Sequence, residues 1–112
     1  MKRFIRKVAV LGSGVMGSRI ACHFANVGCE VILLDIAPKE LDAAEEKKGL
    51  TLESSAVKNR IVNQSLQFAL KSNPSPIYRK SFASRIETGN FDDDLNKIKD
   101  CDWVIEVIIE RL

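Results

Sequence analysis

The stretch that decides the fold is KVAVLGSGVMGSRIACHFANVGCEVILLD, residues 7–35. Val8, Ala9, Val10 and Leu11 form a nearly continuous apolar run that stops at Gly12, the pattern of a strand buried on both faces of a parallel sheet. Ile20, Ala21, Phe24, Ala25 and Val27 then recur at helical spacing with the polar Arg19, His23 and Asn26 between them. A helix is expected from Val15 to Val27, ended by Gly28. Val31, Ile32, Leu33 and Leu34 repeat the first run and finish in Asp35. Strand, helix and strand at this spacing imply a right-handed parallel crossover.

Gly12, Gly14 and Gly17 satisfy G-x-G-x-x-G, a weak signal alone, since three glycines in six residues are common in loops. Context strengthens it. The first glycine suits the tight turn out of the strand, the second lets backbone approach a pyrophosphate, and the third lets the helix sit close to the sheet. The amides at Val15 and Met16 would then face phosphates at the positive end of the helix dipole. No Lys follows as G-K-[ST], which disfavours a nucleoside-triphosphate loop.

An independent check is the acid after the second strand. Asp35 follows Gly17 at about the 20-residue interval a dinucleotide site requires, where a carboxylate accepts the adenosine ribose hydroxyls. It would repel a 2′-phosphate, and Ile36-Ala37 offers no Arg to receive one, so NAD is preferred over NADP. Lys39 is the nearby cation that tempers the preference.

Composition sets the outer bounds. The chain has 112 residues, 46% hydrophobic and 29% charged, which suits one small soluble domain and is short for a two-part enzyme. Its 17 basic residues are nearly offset by 15 acidic ones, a net charge of +2, so no strong field gathers nucleic acid. The basic MKRFIRK opening leads into a glycine-broken run, neither a secretion signal nor a membrane span. Three cysteines, Cys22, Cys29 and Cys101, lack C-x-x-C spacing and suggest neither a disulfide framework nor a zinc site. A reduced, cytoplasmic setting is expected, and Asn63-Gln64-Ser65 carries no weight as a glycosylation acceptor.

Beyond Asp35, Pro38 is expected to open a helix through Ala44. Gly49 breaks it, Thr51 to Ser54 is a second start signal, and Val57, Ile61, Val62, Leu66 and Leu70 mark a second amphipathic helix. A third strand is expected over Phe82 to Glu87, closed by Gly89-Asn90. Asp92, Asp93 and Asp94 precede Leu95, Ile98, Lys97 and Lys99, so helix capping is preferred over a metal cluster. Trp103 to Ile109 reads as a fourth strand. His23, mid-helix without a ligand or carboxylate partner at the right spacing, is not expected to be catalytic.

GSGVMGSRIACHFANVGCEVILLD resembles the opening of the 3-hydroxyacyl-CoA dehydrogenases, with their G-x-G-x-M-G-x-x-I-A run and an apolar strand ending in Asp. DWVIEVIIERL, residues 102–112, is similar to their fourth strand, and LTLESSAVKNRIVNQSLQFALKSNPSPI resembles the bacterial multifunctional form. The resemblance implies an α/β fold: a Rossmann-type parallel sheet in strand order 3-2-1-4, truncated after the fourth strand, with a helical insertion between strands 2 and 3. It implies NAD as cofactor, an acyl-CoA as substrate, and oxidation of 3-hydroxyacyl-CoA to 3-ketoacyl-CoA in fatty-acid β-oxidation. Gly12, Gly14, Val15, Met16 and Gly17 would hold pyrophosphate, Asp35 the ribose, Ile36 the neighbourhood of adenine, and Val107 and Glu110 the cofactor at the end of the fourth strand. The inserted arm would help hold coenzyme A, with Lys58 and Arg60 as candidate contacts.

The family's catalytic His and partner Glu lie after the fourth strand, so no catalytic residue is expected among these 112. The expectation is an N-terminal NAD-binding fragment of a longer enzyme, inactive by itself. Its fourth-strand edge, open to solvent, would favour a homodimer. Three alternatives stand beside this one. The 3-hydroxyisobutyrate type shares G-x-G-x-M-G but has a short link between strands 2 and 3. A flavoprotein more often ends its second strand in Glu. A stand-alone NAD-sensing module would need no chemistry.

Overall fold

The computed structural model describes residues 5–72 and 76–107. A four-stranded parallel sheet runs in the order β3-β2-β1-β4, made by β1 (Lys7–Leu11), β2 (Glu30–Asp35), β3 (Ile86–Asn90) and β4 (Trp103–Glu106). Helix α1 (Val15–Asn26) connects β1 to β2. Three helices, α2 (Ala43–Lys47), α3 (Ser55–Lys58) and α4 (Arg60–Lys71), occupy the excursion between β2 and β3. The four-residue α5 (Phe91–Asp94) and a 3-10 stretch, Leu95–Asp100, lead into β4.

Alternation along the strands divides the core into two layers. On one face Val8, Val10, Val31, Leu33 and Ile86 pack against Ala21, Cys22 and Ala25 of α1 and Val62 and Leu66 of α4. The other face sets Leu11, Ile32 and Leu34 against Phe91, Ile98 and Cys101. The central β1 and β2 therefore read as unbroken apolar runs because both faces are covered. β4 is the edge beside β1, with Trp103 and Val104 exposed. The Trp103 ring meets Phe24 edge to face at 5.7 Å.

The expected first strand, helix and second strand are all present. At the end of α1, Gly28 N donates to Ala25 O and Cys29 N to Phe24 O, at 3.2 and 3.0 Å, the paired bonds of a Schellman motif.

The arm differs from the sequence expectation. Pro38 opens no helix; α2 starts at Ala43, because Asp42 and Glu45 form a reciprocal capping box. Glu45 N donates to Asp42 Oδ1 at 2.8 Å and Asp42 N to Glu45 Oε1 at 2.9 Å. Arg60 fixes the preceding segment by donating to Glu40 O at 3.1 Å while pairing with Glu45 and Asp42. The second helix is broken at Asn59, whose side chain accepts from Asn90 Nδ2 at 2.8 Å and ties the break to the end of β3.

The third strand lies later than expected. Lys80–Arg85 is 3-10, held where Arg85 Nη1 donates to Ala25 O at 2.6 Å and its guanidinium covers the Phe82 ring at 4.1 Å. β3 begins at Ile86 opposite Val31 and includes Gly89 and Asn90, which pair with Leu34 and Asp35. Asn90 caps α5 by accepting from Asp93 N at 2.9 Å. The three aspartates lie in the first turn of that short helix, but its cap is Asn90 and its expected continuation over Leu95–Asp100 is 3-10; Asp93 pairs with Lys58 and Asp94 with Lys97, each at 3.0 Å. The expected fourth strand ends at Glu106, with Val107 beyond it, and Ile108 and Ile109 lie outside the described residues. No described helix is long and apolar enough to cross a membrane.

Candidate functional site

The glycine loop sits at the carboxyl end of β1, where the chain turns into α1. Gly12 has φ 108°, a conformation side chains rarely adopt, and its amide donates to Leu34 O at 2.8 Å. This bond fastens the loop to the end of β2. Gly17 is needed for a different reason: a Cβ there would stand 1.8 Å from Gly12 O and 3.2 Å from Val107 Cγ2. A Cβ on Gly14 would meet nothing within 4 Å, so the protein itself places no demand on that position.

Helix α1 starts at Gly14 without a side-chain cap and without an acidic residue in its first turn. Its first intrahelical bond of this turn runs from Ser18 N to Gly14 O at 2.9 Å. The amides of Val15, Met16 and Gly17 thus precede any intrahelical acceptor, and the dipole favours an anion there. The capped α2 and α5 spend their first-turn donors on their own side chains. Gly14, Val15, Met16, Gly17 and Val107 line a cavity of about 430 Å³. Val15 and Met16 are 66% and 68% exposed, leaving apolar surface at the mouth of the cavity.

Asp35 lies at the end of β2, half-buried and joined to the same loop. Its Oδ2 accepts from Ser13 N at 2.9 Å and from the Ser13 hydroxyl, while Oδ1 accepts from Ile36 N at 2.7 Å. The Ser18 hydroxyl donates to Ser13 O at 2.5 Å. Ser13 and Ser18 are both fully buried. Neither was singled out in the sequence, where a Ser between two glycines looks like a loop filler.

Of the predicted site residues, Gly12, Gly14, Val15, Met16, Gly17, Asp35 and Ile36 lie on this loop, the start of α1 and the end of β2. Val107 reaches the cavity from beyond β4, its amide bonded to Leu11 O at 2.8 Å. Glu110 lies outside the described residues. Ile36 is exposed beside Asp35, and Lys39 is exposed further along. Lys58 and Arg60 do not present free cations: Lys58 bridges Asp93 and Glu53, and Arg60 bridges Glu45 and Asp42. Burial pushes the Cys22 thiol above its ordinary value, against an opposing effect of Arg19. No group of three or more His, Cys, Asp or Glu among the described residues could hold a metal ion.

A parallel sheet in this order, a glycine loop opening an uncapped helix and a carboxylate at the end of β2 define a dinucleotide-binding domain of the Rossmann class. The family model for the 3-hydroxyacyl-CoA dehydrogenase NAD-binding domain matches residues 7–112, and the chain belongs to that family. A Bacillus subtilis (strain 168) protein provisionally named a 3-hydroxyacyl-CoA dehydrogenase is 52% identical over 100% of this chain and 14% of its own length. A protein of Rickettsia felis (strain ATCC VR-1525 / URRWXCal2), provisionally named a fatty acid oxidation complex trifunctional enzyme, is 40% identical over 100% of the chain and 14% of its own. Among solved structures, an (S)-3-hydroxybutyryl-CoA dehydrogenase from Ralstonia eutropha is 30% identical, with a TM-score of 0.51, over 97% of this chain and 33% of that one. The chain thus spans only a small part of the relatives it matches.

Proposed function

We propose that Gly12, Gly14, Val15, Met16, Gly17, Asp35 and Ile36, with Val107 and Glu110, bind NAD for an enzyme that oxidises 3-hydroxyacyl-CoA to 3-ketoacyl-CoA in fatty-acid β-oxidation. The observation that carries the reading is the uncapped start of α1 facing a cavity lined by Gly14, Val15, Met16, Gly17 and Val107, with Asp35 bonded to the same loop. In this reading the first-turn amides receive pyrophosphate, Asp35 accepts from the adenosine ribose, and Ile36 offers apolar surface near adenine. The cofactor supplies the hydride acceptor; these residues bind and orient it. The names of the Bacillus and Rickettsia relatives support the acyl-CoA substrate and the pathway. The base that removes the hydroxyl proton is assigned to residues outside this chain, which serves as the NAD-binding domain of a longer protein. Pairing of two copies along the β4 edge is supported by the exposure of Trp103 and Val104.

Calorimetry on the 112-residue chain with NAD, NADP and FAD tests the site. NAD is expected to bind most tightly. Binding of FAD alone, or of no cofactor by a folded sample, would overturn the reading. Turnover of acetoacetyl-CoA with NADH by a protein containing this domain tests the activity, and turnover of free hydroxy acids only would refute it.

A further inference from the structure

We propose that Ser13 is the positioning residue for Asp35 and, through it, a determinant of NAD affinity and of selectivity against NADP. The inference rests on the reading of Asp35 as the ribose carboxylate and adds a residue to it. A carboxylate has about four lone-pair sites. Here the Ser13 amide and hydroxyl take both sites on Oδ2, and the Ile36 amide takes one on Oδ1. One acceptor site is left, on Oδ1, and it is the one open to a ribose hydroxyl. Ser13 thereby dictates which oxygen of Asp35 meets the cofactor.

The hydroxyl is well placed for this and for little else. Ser13 is fully buried, so it acts through Asp35 rather than by touching a ligand. Its backbone is fixed from the other side, because its carbonyl accepts from the Ser18 hydroxyl at 2.5 Å. Ser18 therefore anchors Ser13 to α1, and Ser13 anchors Asp35 to the loop. Without the Ser13 hydroxyl the carboxylate keeps two amide donors but loses the side-chain contact across the strands. It is then held by one amide on each oxygen, and a second acceptor site opens on Oδ2, so the ribose no longer meets a single fixed site.

A double-mutant comparison by calorimetry on the 112-residue chain distinguishes this from a merely structural role. Ser13→Ala is expected to weaken NAD about tenfold, the scale of losing one hydrogen bond to a charged group, and to lower the NAD-to-NADP affinity ratio by a similar factor. In an Asp35→Ala background it should have no further effect on either cofactor. Ser13→Cys, which keeps a weak donor, should fall between wild type and Ser13→Ala and provides the measurement should the Ala variant not fold. Ser18→Ala, which frees the Ser13 carbonyl but leaves both Ser13 contacts to Asp35 in place, is expected to lower the ratio less than Ser13→Ala does. Equal weakening of NAD and NADP by Ser13→Ala, or an undiminished effect in the Asp35→Ala background, overturns the proposal for Ser13. An unchanged ratio in Asp35→Ala alone, or no NAD binding by folded wild type, overturns the underlying reading of Asp35 and the proposal with it.

Discussion

Gly14 and Gly17 stand three residues apart in the same loop, and the structure assigns them opposite sensitivities. A Cβ on Gly17 would lie 1.8 Å from Gly12 O and 2.8 Å from Gly12 C. An ordinary carbon to oxygen contact is about 3.3 Å, so Gly17→Ala demands a shift of roughly 1.5 Å between α1 and the end of β1. The obstacle is backbone held at φ 108° and bonded to Leu34 O, so no side-chain rotation relieves it. Overpacking costs about 1–3 kcal/mol, and a backbone collision belongs at the upper end. A loss of about 3 kcal/mol lowers the melting temperature of a domain this size by roughly 10–20 °C. Gly14→Ala meets nothing within 4 Å at φ −53°, so its stability should stay within about 1 kcal/mol of wild type. NAD affinity should nevertheless fall, because the new methyl occupies the approach to pyrophosphate. Urea denaturation followed by circular dichroism, with calorimetry on the same samples, reads both quantities. If Gly17→Ala unfolds at the wild-type midpoint, the close packing of α1 on the loop is refuted. If Gly14→Ala binds NAD normally, the loop is not the pyrophosphate cradle.

Three further outcomes can be measured independently. Asp35→Ala should weaken NAD and relax its preference over NADP; unchanged selectivity in calorimetry would remove Asp35 from the ribose site. Arg60→Ala should lower stability to urea by about 2 kcal/mol, because it deprives the nearly buried Glu45 carboxylate of its cation. NAD affinity should be unaffected, and a loss of binding in a folded sample would contradict the separation of arm from cradle. Hydrogen bonds from Lys58 and then Asn90 hold the Asp93 carboxyl below its ordinary value of 3.8. Because the value is lowered on folding, the stabilisation is complete above the unfolded value and is lost as pH falls through the folded one. An NMR titration should follow Asp93 into that acid range, and Lys58→Met should return its midpoint toward 3.8.

Residues 7–35 were legible because every signal in them is local. Runs such as VAVL and VILLD have one reading when both faces are buried, and the glycines between them have few places to go. The segment from Ile36 to Asn90 was legible in kind but not in position. Pro38 permits a helix start but does not require one, and Asp42 with Glu45 supplied a better cap five residues on. Phe82 to Glu87 has strand-like composition, yet Arg85 spends its side chain on Ala25 O and on Phe82, and pairing begins only at Ile86. The Arg85 bond to Ala25 and the pairing of Ile86 with Val31 join residues far apart in the chain, so no window of sequence contains them; the Asp42–Glu45 box spans three residues and was present in the sequence as a local signal.

The same division runs through the site. By itself the sequence determined the strand, glycine loop, helix and terminal Asp35, because tight turns, helix dipoles and buried strands impose residue types at fixed local spacing. Tertiary structure alone decided that Gly17 is required for packing while Gly14 is left open, and that Lys58 and Arg60 are consumed by internal carboxylates. It also brought the Ser13 hydroxyl against Asp35. A hydrogen bond depends on two groups meeting in space, and parallel pairing of β1 with β2 is what brings residues 13 and 35 together.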